Sequence, residues 1–114
     1  MASLIYKICP ERLWREAEAL GRFDGAEAHR RDGYIHFSTA EQVRDTAAKH
    51  FAGEADLLLI AVDATRLSAL RYEPAGRGTL FPHLYAPLSL AAVVSVTPLP
   101  FSSDGAHLFP PDIP

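Results

Sequence analysis

Hydrophobic and polar positions along this chain follow patterns that predict two helices and six short strands. Residues 4–8 are rich in β-branched and aromatic side chains, which favours a first strand. From Glu11 to Leu20 the apolar residues recur at helical spacing, and Gly21 is a natural stop for this helix. The polar segment 22–33 that follows is predicted to be a loop.

A second strand is predicted to lead directly into the second helix. Residues 34–38 alternate so that His36 and Ser38 share one face of the strand. Ser38 also begins a capping-box sequence, 38–41, in which its hydroxyl accepts a hydrogen bond from the third amide along the chain. We therefore expect the helix to begin at this serine and to end near Phe51.

The second half of the chain reads as strands separated by short turns. The continuous apolar run 56–63, bounded by acids, is typical of a central strand buried on both faces. A single helical turn is expected over 64–69. Three further strands are predicted, at 70–73, 80–85 and 91–97. Pro82 lacks an amide hydrogen, which favours an edge position or a bulge for its strand.

These elements predict one compact α+β domain over residues 1–97, with a mixed, mostly antiparallel sheet and two N-terminal helices. Five of the nine prolines fall in the final 17 residues, so that 98–114 forms a proline-rich tail. The apolar pair Leu108 and Phe109 is expected to pack this tail back onto the domain.

Composition narrows the class of protein without giving a function. The 114 residues fit one domain, and 11 Lys and Arg against 14 Asp and Glu give a net charge of −3. This balance argues against nucleic-acid binding, which needs positive surface charge. The longest apolar run, 57–62, is far shorter than the roughly 20 residues that span a bilayer. Cys9 is the only cysteine, which excludes an intrachain disulfide. We expect a soluble, cytoplasmic domain, whose oligomeric state stays open.

Three polar residues on predicted strands are candidates for catalysis, namely His36, Glu73 and His83. Histidine titrates near neutral pH, so these residues can form an acid–base set in which Glu73 is the general base. The same set can be read as a two-histidine, one-carboxylate metal site, but no typical ligand spacing is present and we assign no metal. Cys9, between a strand and a helix, is either an activated thiolate or a buried, inert thiol.

Two segments are candidates for binding an anion. The free amides at the predicted helix start, at Ser38 and Thr39, suit an oxyanion. The basic segment 29–31, His-Arg-Arg, lies just before the second strand and is the other candidate, with a solvated loop as the alternative.

Several of these pieces together resemble the short bacterial family called domain of unknown function 952. The resemblance runs from about residue 4 to 96 and is carried by Tyr6-Lys7-Ile8, by Gly-Tyr-Ile-His-Phe-Ser-Thr at 33–39, and by Glu73 followed by Phe-Pro-His-Leu-Tyr at 81–85. This family is similar in fold to the ADP-ribosyltransferases. The resemblance therefore implies a compact α+β fold with a cleft that holds NAD in the enzymes, but no established activity.

The residues and the resemblance lead to one functional hypothesis. The domain has a cleft for an NAD- or nucleotide-type ligand and carries out ADP-ribosyl transfer or glycosidic hydrolysis on a small substrate. NAD enters as a substrate, and no other cofactor is implied. His36 resembles the histidine that holds ribose in those enzymes. The predicted ligand-binding residues are Tyr34, Ser38, Thr39, Gln42, Arg71 and Tyr85, with a stacking role for Tyr85 or Tyr34. The alternative is a non-catalytic binding or interaction domain in which the same polar residues satisfy one another.

Overall fold

The computed structural model describes residues 3–24, 33–75, 79–110 and 113. Along these residues the strands are β1 (Leu4–Pro10), β2 (Arg22–Phe23), β3 (Ile35–His36), β4 (Leu57–Asp63), β5 (Leu70–Ala75), β6 (Thr79–Leu84), β7 (Leu88–Ser89) and β8 (Val93–Pro98). The α-helices are α1 (Glu11–Leu20) and α2 (Val43–His50), and short 3-10 turns lie at Ala64–Arg66 and Leu90–Ala92. These elements confirm an α+β domain.

The described strands form three antiparallel sheets rather than the single mixed sheet that the sequence predicts. The strand orders are β1-β4-β8, β2-β7 and β3-β6-β5. The polar segment 22–33 was expected to be a loop, but it contains β2, which is only two residues long. Two-residue strands carry no readable alternation, so the sequence pattern does not reveal them.

The structure confirms the predicted first strand and first helix. Pro10 directly precedes α1, where its fixed φ and missing amide hydrogen cost the helix nothing. Gly21 has a φ of 93° and donates its amide hydrogen to the carbonyl of Ala17 at 2.8 Å, which ends the helix in the left-handed region that glycine favours. The helix buries Trp14 against the sheets, with the ring of Phe23 at 5.7 Å.

Strand β4 is the buried central strand that the apolar run predicts. It lies between β1 and β8, and residues 57–62 are all buried. Alternate residues of β4 contribute to two separate hydrophobic cores. Cluster 1 takes Leu58, Ile60 and Val62 and lies on the side of α1, whereas cluster 2 takes Leu57, Leu59 and Ala61 and lies on the side of α2.

The expected capping box is wrong, because α2 begins five residues after Ser38. Backbone hydrogen bonds of 2.8 Å join Ser38 to Tyr6 in both directions, which keeps the serine extended beside β1. Its hydroxyl pairs with that of Thr46 at 3.0 Å instead of capping the helix. The residue before the helix is Gln42, which makes no side-chain cap. Since α2 follows β3, the two helices are not both N-terminal.

The expected edge position of Pro82 is also wrong, because β6 is the middle strand of its sheet. The carbonyl of Pro82 accepts a hydrogen bond from the amide of Phe37 at 3.0 Å. In an antiparallel strand the amide and carbonyl of one residue point to the same side. The missing donor of Pro82 therefore faces the end of the short strand β3, where little pairing is lost.

The end of the tail packs onto cluster 2. Ile113 is 6% exposed within that cluster, and Phe109 packs against it, whereas Leu108 is exposed. Arg44 of α2 donates to the carbonyl of Ile113 at 3.3 Å and lies 5.4 Å from the Phe109 ring. Within the described residues, no helix has the length and apolar character needed to cross a membrane.

Candidate functional site

The sheet β3-β6-β5 brings most of the predicted site residues to one face. His36 lies directly opposite His83, and His83 lies directly opposite Arg71 on the third strand. Directly paired residues of an antiparallel sheet point to the same face. The other face of the same strands, with Ile35 and Leu84, packs into cluster 1. The sheet thus separates an apolar face from a polar one.

Glu73 is held by two neighbours on this polar face. Its Oε1 accepts a hydrogen bond from Nδ1 of His83 at 2.9 Å and from the hydroxyl of Tyr85 at 2.5 Å. These two hydrogen bonds, that of Tyr85 first, lower the pKa of Glu73 below its ordinary value. The same contact raises the pKa of Tyr85, because the phenolic hydrogen is held by a carboxylate. Glu73 is therefore an ionised acceptor.

Tyr34 covers the histidine pair with its ring. The ring stacks on His83 with centroids 4.0 Å apart and planes 18° apart, and it meets His36 edge-on at 4.7 Å. Tyr85 lies 5.2 Å from Tyr34, and the two histidine rings lie 5.3 Å apart. We call Tyr34, His36, Glu73, His83 and Tyr85 the aromatic–carboxylate cluster.

Burial differs sharply within this cluster. His83 is 3% exposed, and among the described residues its Nε2 has no hydrogen-bond partner. Tyr85 is 41% exposed, and Glu73 is about one-third exposed at its side chain. The guanidinium of Arg71 lies 5.4 Å from the Tyr85 ring centre. The cluster thus has a buried histidine and an accessible rim formed by Tyr85 and Glu73, with Arg71 beside it.

This geometry changes the role expected for Glu73. A carboxylate with a lowered pKa takes up a proton poorly at neutral pH, which argues against the expected general base. A fixed negative charge of this kind instead stabilises positive charge that develops beside it.

Three predicted ligand-binding residues lie away from this cluster and hold the start of α2. Ser38 is buried and bonds to Thr46. The amide of Thr39 donates to the side-chain oxygen of Gln42 at 3.0 Å, and the Gln42 amide group donates to the Leu80 carbonyl at 2.7 Å. These contacts tie α2 to β6. They give the three residues a structural role, and their predicted role in ligand binding is untested.

Three further candidates from the sequence are the basic segment 29–31, the Cys9 thiol and a metal site. The basic segment 29–31 lies outside the described residues. Burial raises the pKa of the Cys9 thiol to about 11, which agrees with the buried, inert alternative. Among the residues in the described ranges, no group of three or more His, Cys, Asp or Glu side chains is placed to hold a metal ion. Oε1 of Glu73 instead accepts hydrogen bonds from His83 and Tyr85.

The sequence does not reveal the stacking of Tyr34 on His83. The two residues are 49 positions apart, and only the pairing of β3 with β6 brings them together. The structure places Tyr34 and His36 of one motif beside His83 and Tyr85 of the other. What the sequence lacks is the strand register that makes them neighbours.

Comparison with known proteins places the chain in a family. Residues 8–96 match the family model described as "Protein of unknown function (DUF952)". Protein CC0527 from Caulobacter crescentus, solved by X-ray crystallography, is 43% identical with a TM-score of 0.88, over 93% of this chain and 94% of that chain. Its solution NMR structure is 44% identical with a TM-score of 0.82, over 90% of each chain. No protein of curated function matches the chain significantly. With 89 of its residues matched by the family model, the chain belongs to the DUF952 family of proteins of unknown function.

Proposed function

We propose that the aromatic–carboxylate cluster binds an NAD-type nucleotide within an ADP-ribosyltransferase-like fold. On this proposal the domain cleaves the bond between ribose and nicotinamide and passes ADP-ribose to water or to a small acceptor.

The observation that carries this proposal is the anchoring of Glu73 by His83 and Tyr85. Departure of a base from ribose leaves positive charge on the sugar carbon and ring oxygen, as in glycoside cleavage generally. A carboxylate that is already ionised and fixed can stabilise this charge without reorganising during the reaction. The two hydrogen bonds provide that fixation, since they restrain the side chain and keep its pKa low.

The rest of the cluster supports the nucleotide part of the proposal. Aromatic faces bind flat heterocycles by stacking, and Tyr85 is the exposed ring of the cluster. Arg71, within 5.4 Å of that ring, supplies the planar positive charge that suits a phosphate oxygen. His36, on β3 beside β6, is assigned to the ribose hydroxyls.

Thermal unfolding with and without ligand tests this proposal. A ligand that binds only the folded protein adds about 2.7 kcal/mol when its concentration is about 100 times Kd. We expect NAD and ADP-ribose to raise Tm, and His36→Ala to abolish the rise. Thr46→Val is the matched control. The hydroxyl of Thr46 contacts Ser38 and not the cluster, so this variant should keep the rise in Tm. Wild-type protein that unfolds at the same temperature with millimolar ligand would refute the proposal.

A second function, a non-catalytic interaction domain, is favoured by one observation. Oε1 of Glu73 already satisfies two donors within the protein, as expected of a purely structural polar cluster. In that case Glu73→Gln and His83→Ala lower the unfolding free energy and no nucleotide changes Tm. Release of nicotinamide from NAD, measured by chromatography, separates the two functions, because only the enzyme releases it and Glu73→Gln stops that release.

A further inference from the structure

A cavity of about 290 Å³ lies where the first turns of α1, the start of β4 and the end of β8 meet. It is separate from the aromatic–carboxylate cluster, because none of the five cluster residues lines it. Apolar residues make up most of its lining, among them Leu57, Leu58, Val96, Pro98 and Leu99. A volume of this size is at the lower end of the range for ligand sites, so the cavity suits a small organic molecule.

Backbone hydrogen bonds hold the three segments around this cavity together. Asp56, directly before β4, has a φ of 59°, and its carbonyl accepts a hydrogen bond from the amide of Glu11 at 2.8 Å. This contact ties the start of β4 to the start of α1. On the other side, the amide of Leu99 donates to the carbonyl of Leu57 at 3.0 Å, and both leucines are buried. The cavity is therefore part of the hydrogen-bonded fold and has an apolar floor.

The charged residues that line the cavity are Glu11, Arg15 and Asp56. The guanidinium of Arg15 is already shared between two carboxylates, because it donates to Glu18 at 2.7 Å and to Glu11 at 3.4 Å. No described side chain forms a hydrogen bond or an ion pair with the Asp56 carboxylate, which is exposed. An unpaired carboxylate next to apolar walls is complementary to a cation that carries an apolar chain.

We propose that this cavity binds a small primary alkylamine, with its ammonium on Asp56 and its alkyl chain along the apolar lining. The ammonium supplies donors and a positive charge to a carboxylate that has neither. The alkyl chain removes Val96 and Pro98, which are both partly accessible, from water. A carboxylic acid of the same length is repelled by Asp56 and Glu11, and an alcohol gains no charge attraction. The site is independent of nucleotide binding at the aromatic–carboxylate cluster.

Titration of the nitrogen-15-labelled full chain with pentylamine, followed by the backbone amide signals, tests the proposal. We expect the amides of Glu11, Asp56 and Leu99 to shift with a Kd of about 1–10 mM, as is usual for so small a ligand. The amides of His83 and Tyr85 should stay in place. Pentanol and pentanoate have the same chain length without the positive charge. Each should bind about three- to fivefold more weakly, which is the contribution of an exposed ion pair.

Asp56→Asn removes the charge and keeps a residue that tolerates a positive φ, so the fold should survive. It should weaken pentylamine binding about three- to fivefold and leave pentanol binding unchanged. Asp45→Asn is the matched control, because it makes the same charge change on α2, where Asp45 pairs with Lys49. It should leave both affinities unchanged.

Three results would overturn the proposal. The first is the absence of shifts at the cavity amides in folded wild-type protein at about 20 mM pentylamine. The second is binding of pentanol or pentanoate that is as tight as that of pentylamine, which would remove the role of the carboxylate. The third is an Asp56→Asn variant that binds pentylamine like wild type. The comparison of the three ligands uses wild-type protein, so the test does not depend on the folding of a variant.

Discussion

Replacing His83 by alanine is the perturbation that tests the packing of the cluster most severely. The ring is 3% exposed and stacks on Tyr34 at 4.0 Å. Loss of an aromatic contact of this kind costs about 0.5–1.5 kcal/mol. Removing the buried carbons of the ring adds about 2 kcal/mol at about 0.8 kcal/mol for each carbon. We therefore expect His83→Ala to lower the free energy of unfolding by about 3 kcal/mol, which is roughly 12 °C in Tm for a chain of this length.

Urea unfolding followed by tryptophan fluorescence measures this loss directly. Trp14 is the single tryptophan and is 1% exposed, so its emission reports the exposure of cluster 1. His83→Phe is the matched variant, because it keeps a ring to stack on Tyr34 and removes the hydrogen bond to Glu73. It should lose less stability than the alanine variant. If His83→Ala costs less than about 1 kcal/mol, the ring is not packed as the structure describes and the reasoning fails.

Three further predictions concern the charge of Glu73, the tail and the start of α2. Because the pKa of Glu73 is lowered on folding, its contribution to stability is present above the ordinary pKa of 4.5 and is lost as the pH falls through the lowered value. Thermal unfolding of wild type and Glu73→Gln should therefore differ most above this pH and converge in acid, and a gap that is constant with pH contradicts the assignment. Ile113→Ala should cost about 2–3 kcal/mol in urea unfolding, since the side chain is 6% exposed in cluster 2, and an unchanged midpoint would mean that the tail is not anchored. Thr46→Val should cost about 1 kcal/mol by leaving the buried hydroxyl of Ser38 without its partner, and a stability equal to wild type would contradict that pairing.

Strong local patterns explain which parts of the fold could be predicted from the sequence. The run over 57–62 is apolar on both faces, and a strand between two cores buries both of them. Helix α1 combines helical spacing with Pro10 before it and Gly21 after it, so both ends are fixed by residues with restricted or permissive backbones. For these elements local preference and tertiary packing agree.

The failures occur where a distant segment decides the local structure. Ser38 has the sequence of a helix cap, but pairing with Tyr6 of β1 keeps its backbone extended. Pro82 has the sequence of an edge residue, but β3 is so short that the middle strand tolerates it. In both cases the deciding partner is more than 30 positions away, and no local pattern records it.

In the candidate site, local patterns indicated the residues but not the contacts between them. His36, Glu73 and His83 were identified from their residue types and strand positions, and the structure brings them into one cluster. The direct contact of Glu73 with His83 and Tyr85 depends on the register of β5 against β6, which the sequence does not give. That contact changes the expected role of Glu73 from a proton acceptor to a fixed negative charge.

Nuclear magnetic resonance of the histidine rings tests the central claim most directly. Imidazole signals of His36 and His83 report the cluster, whereas those of His50, exposed at the end of α2, and His107, bonded to the Glu54 carbonyl, report distant places. On titration with ADP-ribose to about 1 mM, the account predicts shifts of His36 and His83 with those of His50 and His107 unchanged. Signals of His36 and His83 that stay in place throughout the titration would contradict nucleotide binding at the cluster.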